Sequence, residues 1–294
     1  MTKINDILIF LYNFLKQFFI YPIKKKTDKR YKKIIINKKL KNIYQGDRCF
    51  ILGNGPSLKK EQLSLLHNSK VFTVNQIARN SQFEKLDPIA HFWVDDNFFK
   101  INPQKEEDLE LLKTMKAVPT QKENTLCFYP LKQEEFVKNN RLDNKNVRYL
   151  LPELRISNSY NFKPDLTKYI PNFGTVVQHA IYVAIYMGFK EIYLLGCDST
   201  GIMSTLNAKL QSENSTYSYE ITENEKKRME SMVDNSDVTS YAYSYYMTLN
   251  GFKILKKYCD QRHVDLVNLS CESVLDMLPR KSLEKVVKKL GEKQ

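Results

Sequence analysis

The sequence predicts an α/β, Rossmann-like fold: a mostly parallel sheet flanked by helices, in a single nucleotide-binding domain with a lid insertion and an N-terminal amphipathic helix. Three observations predict this fold. From Arg48 onward, short apolar runs alternate with helical patterns, as in chains that build parallel sheets. Polar residues follow three consecutive predicted strands, and a glycine-rich turn follows the first. The 42% hydrophobic content of the 294 residues is enough to form a core.

Residues 1–44 are predicted to be an amphipathic, basic segment that associates with an anionic membrane surface. Polar residues interrupt the apolar stretch 4–21 before it reaches the roughly 20 residues that a span needs, so we expect it to lie at the interface. The alternative is an ordinary amphipathic helix that packs on the core or on a second subunit. On a helix, the apolar side chains share one face: Ile4, Leu8, Leu11, Leu15 and Phe18.

The charge distribution also singles out this segment. Residues 1–41 contain twelve Lys or Arg and two Asp, so they carry +10 of the net +13. The rest of the chain has no aromatic-plus-basic RNA motif and no recognition-helix pattern, so we expect no nucleic-acid partner. The basic residues mostly follow the apolar stretch, whereas in a secretory signal peptide they precede it.

The cysteines and histidines indicate a reducing compartment and no structural metal. The five cysteines are widely spaced and odd in number, and we expect them to be reduced and buried in a cytosolic protein. Neither the cysteines nor the histidines show the spacing of a zinc site. His91 and His179 are the best histidine candidates for catalysis, although packing in the core is the more common role for such residues.

A glycine-rich turn follows the first predicted strand, Cys49–Leu52, and precedes a predicted helix over Ser57–Leu66. Glycines permit close backbone approach and positive φ, and the amides at a helix start point towards an anion. The turn is predicted to bind a nucleotide, with a plain β-to-α connection as the alternative. Its spacing fits neither the dinucleotide nor the Walker fingerprint. The turn residues are Gly53, Asn54, Gly55, Pro56 and Ser57.

Later strands also end in polar residues. The predicted strand Lys70–Val74 runs into Asn75 and Gln76, Ile89–Val94 into Asp95 and Asp96, and Glu191–Leu195 into Asp198. Ligands bind at the carboxyl edge of open α/β sheets, so we expect these side chains to line one site. Gly174 and Thr175 open a helix that ends at Met187 and is capped by Gly188.

The remaining chain completes the predicted domain, residues 45–294. We expect a helix over Glu106–Met115 and strands over Val147–Leu151 and Asp265–Leu269. A helix through Cys259 and a basic C-terminal helix follow. The polar stretch at about 202–238 is predicted to be a lid or insertion, with a solvated pair of surface helices as the alternative.

Three segments together resemble a known family: Gly-Asn-Gly-Pro-Ser-Leu at 53–58, Val-Asn-Gln at 74–76 and Gly-Phe-Lys-Glu-Ile-Tyr-Leu-Leu-Gly-Cys-Asp at 188–198. They resemble the bacterial sialyltransferases of glycosyltransferase family 42. They also resemble the wider family related to the archaeal 6-hydroxymethylpterin pyrophosphokinase. The resemblance covers about 48–100 and 170–272.

The sialyltransferase resemblance implies a CMP-sugar donor held without a metal. It implies that the glycine turn, 53–57, holds the nucleotide, that Asn75 and Gln76 contact donor or acceptor, and that Thr175 lies at the donor phosphate. Two features depart from that family. The stretch 241–247, which corresponds to its histidine base, contains no histidine, and Asp95 and Asp96 stand in place of its asparagine.

Transfer of a sugar to a hydroxyl needs a base and a group that offsets charge on the leaving phosphate. Asp95, Asp96 and Asp198 are the candidate catalytic carboxylates. In the alternative, Asp95 and Asp96 bind Mg²⁺ in a pyrophosphokinase or metal-dependent transferase, or they simply cap a helix. Four tyrosines are candidates for the leaving phosphate or for packing: Tyr241, Tyr243, Tyr245 and Tyr246.

The expected function is a cytoplasmic glycosyltransferase, peripheral on the inner face of the plasma membrane. Its expected partners are a nucleotide sugar, with a CMP-sugar favoured, a glycan or lipid-linked acceptor, and an anionic membrane surface. No other cofactor and no bound metal are expected, and a homo-oligomer is left open. The alternatives are Mg²⁺-dependent diphosphate transfer and a non-catalytic nucleotide-sugar-binding module.

Overall fold

The structure is a computed structural model that describes residues 2–157, 163–203, 217–233 and 237–291. Its strands are β1 (Arg48–Leu52), β2 (Val71–Val74), β3 (Pro88–Phe92), β4 (Leu126–Pro130), β5 (Val147–Leu154), β6 (Tyr169–Pro171), β7 (Glu191–Leu195) and β8 (Asp265–Asn268). Its α-helices are α1 (Thr2–Leu15), α2 (Tyr21–Thr27), α3 (Glu106–Gln121), α4 (Glu134–Asn139), α5 (Val176–Met187), α6 (Glu223–Val233), α7 (Val238–Asp260) and α8 (Leu283–Gly291).

The strands form one parallel sheet in the order β6-β5-β4-β3-β2-β1-β7-β8. The chain first builds outward from β1 through β2 to β6, and then returns to the other side of β1 with β7. Strand order therefore reverses between β1 and β7. In open parallel sheets, the crevice at such a reversal is where ligands bind. The predicted Rossmann-like fold is confirmed.

The sheet is buried on both faces, as parallel sheets generally are. Along β1, Cys49 and Ile51 belong to the core cluster shared with α5, whereas Phe50 and Leu52 belong to a cluster on the opposite face. This alternation is the period of two that a strand imposes on its side chains. The apolar helix α5 is almost entirely buried, which fixes its N-terminal end beside the carboxyl ends of the central strands.

Two parts of the fold differ from the sequence predictions. The predicted helix Ser57–Leu66 is two short 3₁₀ turns, Pro56–Lys60 and Leu63–Leu66. The chain is extended at Glu61, between the two turns, and Leu58, Leu63 and Leu66 all pack in one core cluster. Strands β4 and β6 were not predicted, because each is a short apolar run in a stretch without clear periodicity.

The N-terminal segment is helical from α1 through a π-helical turn, Lys16–Ile20, to α2, and is followed by a 3₁₀ helix, Lys29–Leu40. In the 3₁₀ helix, Tyr31, Ile34, Asn37 and Leu40 are buried at the spacing of three that this helix type produces. Tyr31 and Ile34 share a core cluster with the sheet. The division at residue 44 remains a prediction, as does the lid at 202–238, of which 204–216 and 234–236 lie outside the described residues.

By length and composition alone, judged over its most apolar window of 18 residues, the stretch Ile4–Thr27 is long and apolar enough to cross a membrane. The expectation that it is too polar to cross is therefore not supported by this criterion. Only 11% of that window is buried. Peripheral attachment stays a prediction.

All five cysteines are free thiols. Four are buried, namely Cys49, Cys127, Cys197 and Cys259, but Cys271 is exposed, which corrects the expectation that all five are buried. Cys271 lies in the loop after β8, where the chain leaves the sheet.

Candidate functional site

A cleft of about 520 Å³ lies at the carboxyl edge of the sheet, beside the reversal between β1 and β7. Most of the residues predicted for the site line it: Gly53, Asn54, Gly55, Asn75, Gln76, Asp95, Thr175 and Asp198. Pro56, Ser57, Gly174 and Asp96 were also predicted, and they lie outside its lining. The structure therefore brings the ends of β1, β2 and β7 and the start of α5 to one site, as the sequence predicted.

The glycine turn after β1 packs directly on the turn after β7. The Gly53 amide donates to Leu195 O at 2.8 Å, and the Gly55 amide donates to Gly196 O at 2.8 Å. A Cβ atom on Gly53 would lie 2.4 Å from Gly196 O. Positive φ occurs at Gly196 (+58°) and not at Gly53 or Gly55. The two glycines of the β1 turn are therefore needed for close packing between two backbone turns, and not for positive φ.

The carboxylate of Asp198 occupies the place where the sequence predicted an anion. Its Oδ2 accepts from the Ser57 amide at 2.8 Å, and its Oδ1 accepts a short hydrogen bond from the Ser57 hydroxyl. Burial raises the pKa of the Asp198 carboxyl above its ordinary value, and the bonds from Ser57 act in the opposite direction. With the amides of Gly53, Gly55 and Ser57 already engaged, this turn is not a phosphate cradle. Asp198 holds the turn in place.

The N-terminus of α5 supplies the amides that the glycine turn does not. Thr175 caps the helix: its hydroxyl accepts from the Gln178 amide, and the Gln178 side chain accepts from the Thr175 amide. The first amides of a helix have no intrahelical acceptor, and Val176 and Val177 line the cleft. Gly174 instead packs on α7, where an added Cβ would lie 2.6 Å from Thr248 Oγ1.

Three side-chain amides at the cleft have buried oxygens with no hydrogen-bond donor among the described residues: Asn54 Oδ1, Asn75 Oδ1 and Gln76 Oε1. The Asn54 amide nitrogen is held by Val74 O at 3.0 Å. Asn75 has a φ of +48°, in the sparsely populated left-handed region. An unsatisfied buried acceptor is costly, so these three oxygens are suited to donors from a ligand.

The adjacent residues Asp95 and Asp96 have different surroundings. Asp95 lines the cleft, and its Oδ1 accepts from the Asn97 amide at 2.9 Å, which caps the short helix that follows β3. Asp96 is held outside the cleft lining by an ion pair with Lys132 and a hydrogen bond from Gln133. The structure therefore brings Asp95, but not Asp96, to the candidate site.

The three candidate carboxylates have different partners. Within the described ranges, no group of three or more His, Cys, Asp and Glu residues is arranged to hold a metal ion. Asp198 is engaged by Ser57 and Asp96 by Lys132, so Asp95 alone faces the cleft without a side-chain partner among these groups. The alternative prediction placed Mg²⁺ on Asp95 and Asp96. Of these two, only Asp95 lines the cleft, and Asp96 is paired with Lys132.

Part of the cleft wall comes from residues that the sequence analysis did not single out. Tyr217, Tyr219 and two residues of α6, Glu225 and Arg228, line the cleft. Glu225 is buried and accepts from Gln76 Nε2 at 2.7 Å, while Arg228 Nε donates to Asp108 at 3.0 Å. No motif marks these residues, because the side-chain contacts that place them, such as Glu225 to Gln76 and Arg228 to Asp108, join positions far apart in the sequence.

The four candidate tyrosines have different positions. Tyr241 lines the cleft. Tyr241 and Tyr245 donate to the carbonyls of Gly201 and Ser199, in the loop after β7. Tyr243 and Tyr246 are exposed.

His91 is fully buried, and burial lowers its pKa to about 3. Burial lowers the pKa of His179 to about 4, and its ring bonds to Thr175 O and to the Phe173 amide. Both rings are therefore neutral packing groups and not bases at the cleft.

Comparison with known proteins gives one family match and two similar solved structures. A family model described as "6-hydroxymethylpterin diphosphokinase MptE-like" matches residues 25–200, more than half of the chain. No curated protein matches the chain.

The sialyltransferase CstII from Campylobacter jejuni, solved in complex with a substrate analogue, cytidine-5'-monophosphate, is 19% identical with a TM-score of 0.45. That match covers 81% of this chain and 86% of CstII. The MAf glycosyltransferase from Magnetospirillum magneticum AMB-1 is 13% identical with a TM-score of 0.46. The match covers 89% of this chain but spans only 41% of the MAf chain.

Proposed function

We propose that this chain, which belongs to the MptE-like family of 6-hydroxymethylpterin diphosphokinase-like proteins, transfers a sugar from a nucleotide-activated donor to a hydroxyl of a bacterial surface glycan. One observation carries the proposal: the cleft combines the N-terminus of α5 with amide oxygens and a carboxylate, Asp95, that have no side-chain partner in the described part of the chain. We assign the amide oxygens to the nucleoside, the N-terminus of α5 to the phosphate and Asp95 to the general base. All three lie in one cleft of about 520 Å³.

The donor's nucleoside is placed at the end of β1 and β2. Asn54 Oδ1 and Asn75 Oδ1 accept hydrogen bonds from an exocyclic amino group or from ribose hydroxyls. Cytosine carries such an amino group and uracil does not, which favours a CMP-sugar over a UDP-sugar. The donor's phosphate is placed at the amides of Val176 and Val177, where the positive end of α5 stabilises an anion.

Asp95 is the proposed general base. Its carboxylate takes the proton of the acceptor hydroxyl as that oxygen bonds to the anomeric carbon of the donor sugar. The bond between the anomeric carbon and the phosphate oxygen breaks, and the nucleotide leaves with the electron pair. The negative charge that develops on the phosphate is offset by the amides at the start of α5.

A lipid-linked acceptor is consistent with the N-terminal segment. We propose that residues 1–44 hold the enzyme peripherally on the inner face of the plasma membrane, where the acceptor also resides. Confinement of both partners to one surface raises their effective concentration.

Diphosphate transfer from ATP to a small alcohol is the second candidate, and the description of the matched family favours it. That reaction generally uses Mg²⁺ bound by carboxylates and substrate phosphates. Of the three candidate aspartates, only Asp95 faces the cleft without a side-chain partner, which is why sugar transfer is preferred.

A thermal-shift screen of the full chain against CMP, CDP, UDP, GDP and ATP, each with and without Mg²⁺, separates the two candidates. Native-state binding raises the melting temperature. Stabilisation by CMP without Mg²⁺ supports sugar transfer. Stabilisation by ATP that depends on Mg²⁺ contradicts it and supports diphosphate transfer.

Two matched variants then test the base. With a CMP-sugar donor, Asp95→Asn is expected to lower kcat about 10²–10⁴-fold, the usual contribution of general base catalysis, with CMP binding retained. Asp96→Asn changes the same functional group next to it but outside the cleft lining, and is expected to keep near wild-type activity. CMP binding with no transfer by the wild-type chain would indicate a binding module instead.

A further inference from the structure

The helical segment 4–27 is docked with its polar face towards the protein and its apolar face towards solvent. Asn13 is 5% exposed, and its side chain bonds to both the nitrogen and the oxygen of the Arg155 backbone, at 2.9 and 2.8 Å. The Tyr21 hydroxyl donates to Thr167 O at 2.5 Å. The outward face carries exposed large apolar side chains: Ile4, Ile7, Leu8, Phe10, Leu11, Phe14, Leu15, Phe18, Phe19, Ile20 and Ile23.

This orientation is opposite to that of an ordinary surface helix, which buries its apolar face. To cross a bilayer, the segment would have to break its bonds to the β5–β6 region and place Asn13 and Lys16 in hydrocarbon, where unsatisfied polar groups are costly. The docked helix instead lies along the molecule with a continuous apolar surface. That surface is suited to the boundary between lipid headgroups and acyl chains.

A second cavity, of about 690 Å³, lies between one side of this helix and the β5–β6 region and is distinct from the cleft described above. Both faces of the helix contribute to its lining, Phe10, Phe14 and Phe18 from the apolar face and Asn13 and Gln17 from the docked face. Its lining is divided by chemistry. Phe10, Phe14 and Phe18 contribute the side next to the apolar surface, and lysines lie in the same lining: Lys38, Lys41, Lys163 and Lys168. The four lysines outnumber the single carboxylate of the lining, Asp165, which lies 3.7 Å from Lys168.

We propose that this cavity binds one anionic phospholipid of the leaflet on which the protein rests. The headgroup phosphate is held by Lys38, Lys41 and Lys168, and the acyl chains lie along Phe10, Phe14 and Phe18. Two observations select this occupant: the excess of positive charge in the lining, and its continuity with the exposed apolar face of the helix. A phosphate with an attached hydrocarbon chain satisfies both, whereas a soluble anion satisfies only the first.

The test uses the full chain and short-chain lipids kept below their micelle concentration, so that no charged surface contributes. Dihexanoylphosphatidylglycerol is the anionic probe, and dihexanoylphosphatidylcholine is the probe with a neutral headgroup. We expect the anionic probe to bind at least about tenfold more tightly than the neutral one. Each basic residue near an anionic membrane surface raises the affinity roughly fivefold, and several lysines line this cavity. Equal binding of the two probes would overturn the proposal.

Two matched double variants distinguish binding in the cavity from attraction by the protein's overall positive charge. Lys38→Gln with Lys41→Gln removes two lining lysines, and we expect it to weaken the anionic probe about tenfold or more. Lys32→Gln with Lys39→Gln removes the same charge from exposed positions of the same 3₁₀ segment outside the cavity, and we expect little change. An equal loss of affinity for the anionic probe in both double variants would show that the overall positive charge of the protein causes the binding, and would overturn the proposal.

Two further measurements address other occupants. Displacement of the anionic lipid by equal concentrations of glycerol phosphate would identify a soluble phosphate ligand and contradict a lipid. Sedimentation of the lipid-free chain as a stable dimer that Phe14→Ser converts to a monomer would show that a second copy covers the apolar face, also against the proposal. A monomeric chain whose affinity for dihexanoylphosphatidylglycerol falls when Lys38 and Lys41 are both changed to Gln supports the proposal.

Discussion

The carboxylate of Asp198 at the end of β7 accepts two hydrogen bonds from Ser57, one from its backbone amide and one from its hydroxyl. The two residues are 141 positions apart in the chain and are both buried. This pair joins the turn after β1 to the turn after β7, at the place where the strand order reverses. The shape of the candidate cleft therefore depends on a contact within the protein at the position where the sequence suggested a ligand.

Removal of either partner is expected to loosen this junction. Ser57→Ala and Asp198→Asn should each lower the free energy of unfolding by about 1–3 kcal/mol, the range for hydrogen bonds to a charged group. Ser57→Ala removes the hydroxyl bond that Asp198→Asn weakens, so the double variant should lose less than the sum of the two single losses. Urea denaturation of the wild-type chain, the two single variants and the double variant measures this coupling. Strictly additive losses of unfolding free energy would show that the two residues do not act as a unit.

The packing of the two turns predicts a steric effect of an added methyl group. Gly53→Ala places a Cβ atom 2.4 Å from Gly196 O, a backbone atom that cannot turn aside, and should cost about 1–3 kcal/mol of stability. Gly201→Ala is the matched control at the rim of the cleft, since its added Cβ would lie 3.9 Å from the nearest atom. Thermal melting compares them, and equal melting temperatures would contradict the close packing.

Helix α6 is expected to depend on Glu225. This buried carboxylate accepts from Gln76 and lies 3.6 Å from Arg79, which connects α6 to the end of β2. Glu225→Ala should weaken the attachment by about 1–3 kcal/mol and raise hydrogen exchange across α6. Glu223→Ala, at an exposed position of the same helix, is the control. Unchanged exchange in the Glu225 variant would show that other contacts hold α6.

The buried histidines predict a loss of stability in mild acid. Burial lowers the pKa of His91 to about 3 and that of His179 to about 4, so each takes up a proton more readily in the unfolded chain. Their contribution is complete above pH 6.5 and is lost as pH falls from there towards pH 4. At pH 5, the loss should be about 2 kcal/mol per histidine.

Urea denaturation at pH 7 and pH 5 measures this effect. His91→Leu should flatten the pH dependence by about half, because one of the two titrating groups is removed. A wild-type stability that stays constant between these two pH values would show that the histidines are protonated in the folded state or are accessible to water.

The sequence by itself determined the class of fold, the family and much of the site. Alternation of apolar runs and helical patterns fixed a parallel sheet, and polar residues at strand ends located the cleft, because parallel strands bring their carboxyl ends to one edge. Thr175 and Gly188 marked both ends of α5, since capping depends on residues next to each other in the chain.

The tertiary structure alone decided which of these residues face the cleft and what they are free to do. Asp95 and Asp96 are neighbours in sequence, yet one lines the cleft and the other pairs with Lys132. Ser57 was predicted to meet an anion from a ligand and meets Asp198 instead. In the N-terminal helix, the sequence gives the two faces but not which one docks. These outcomes depend on contacts between residues far apart in the chain, which no local pattern encodes.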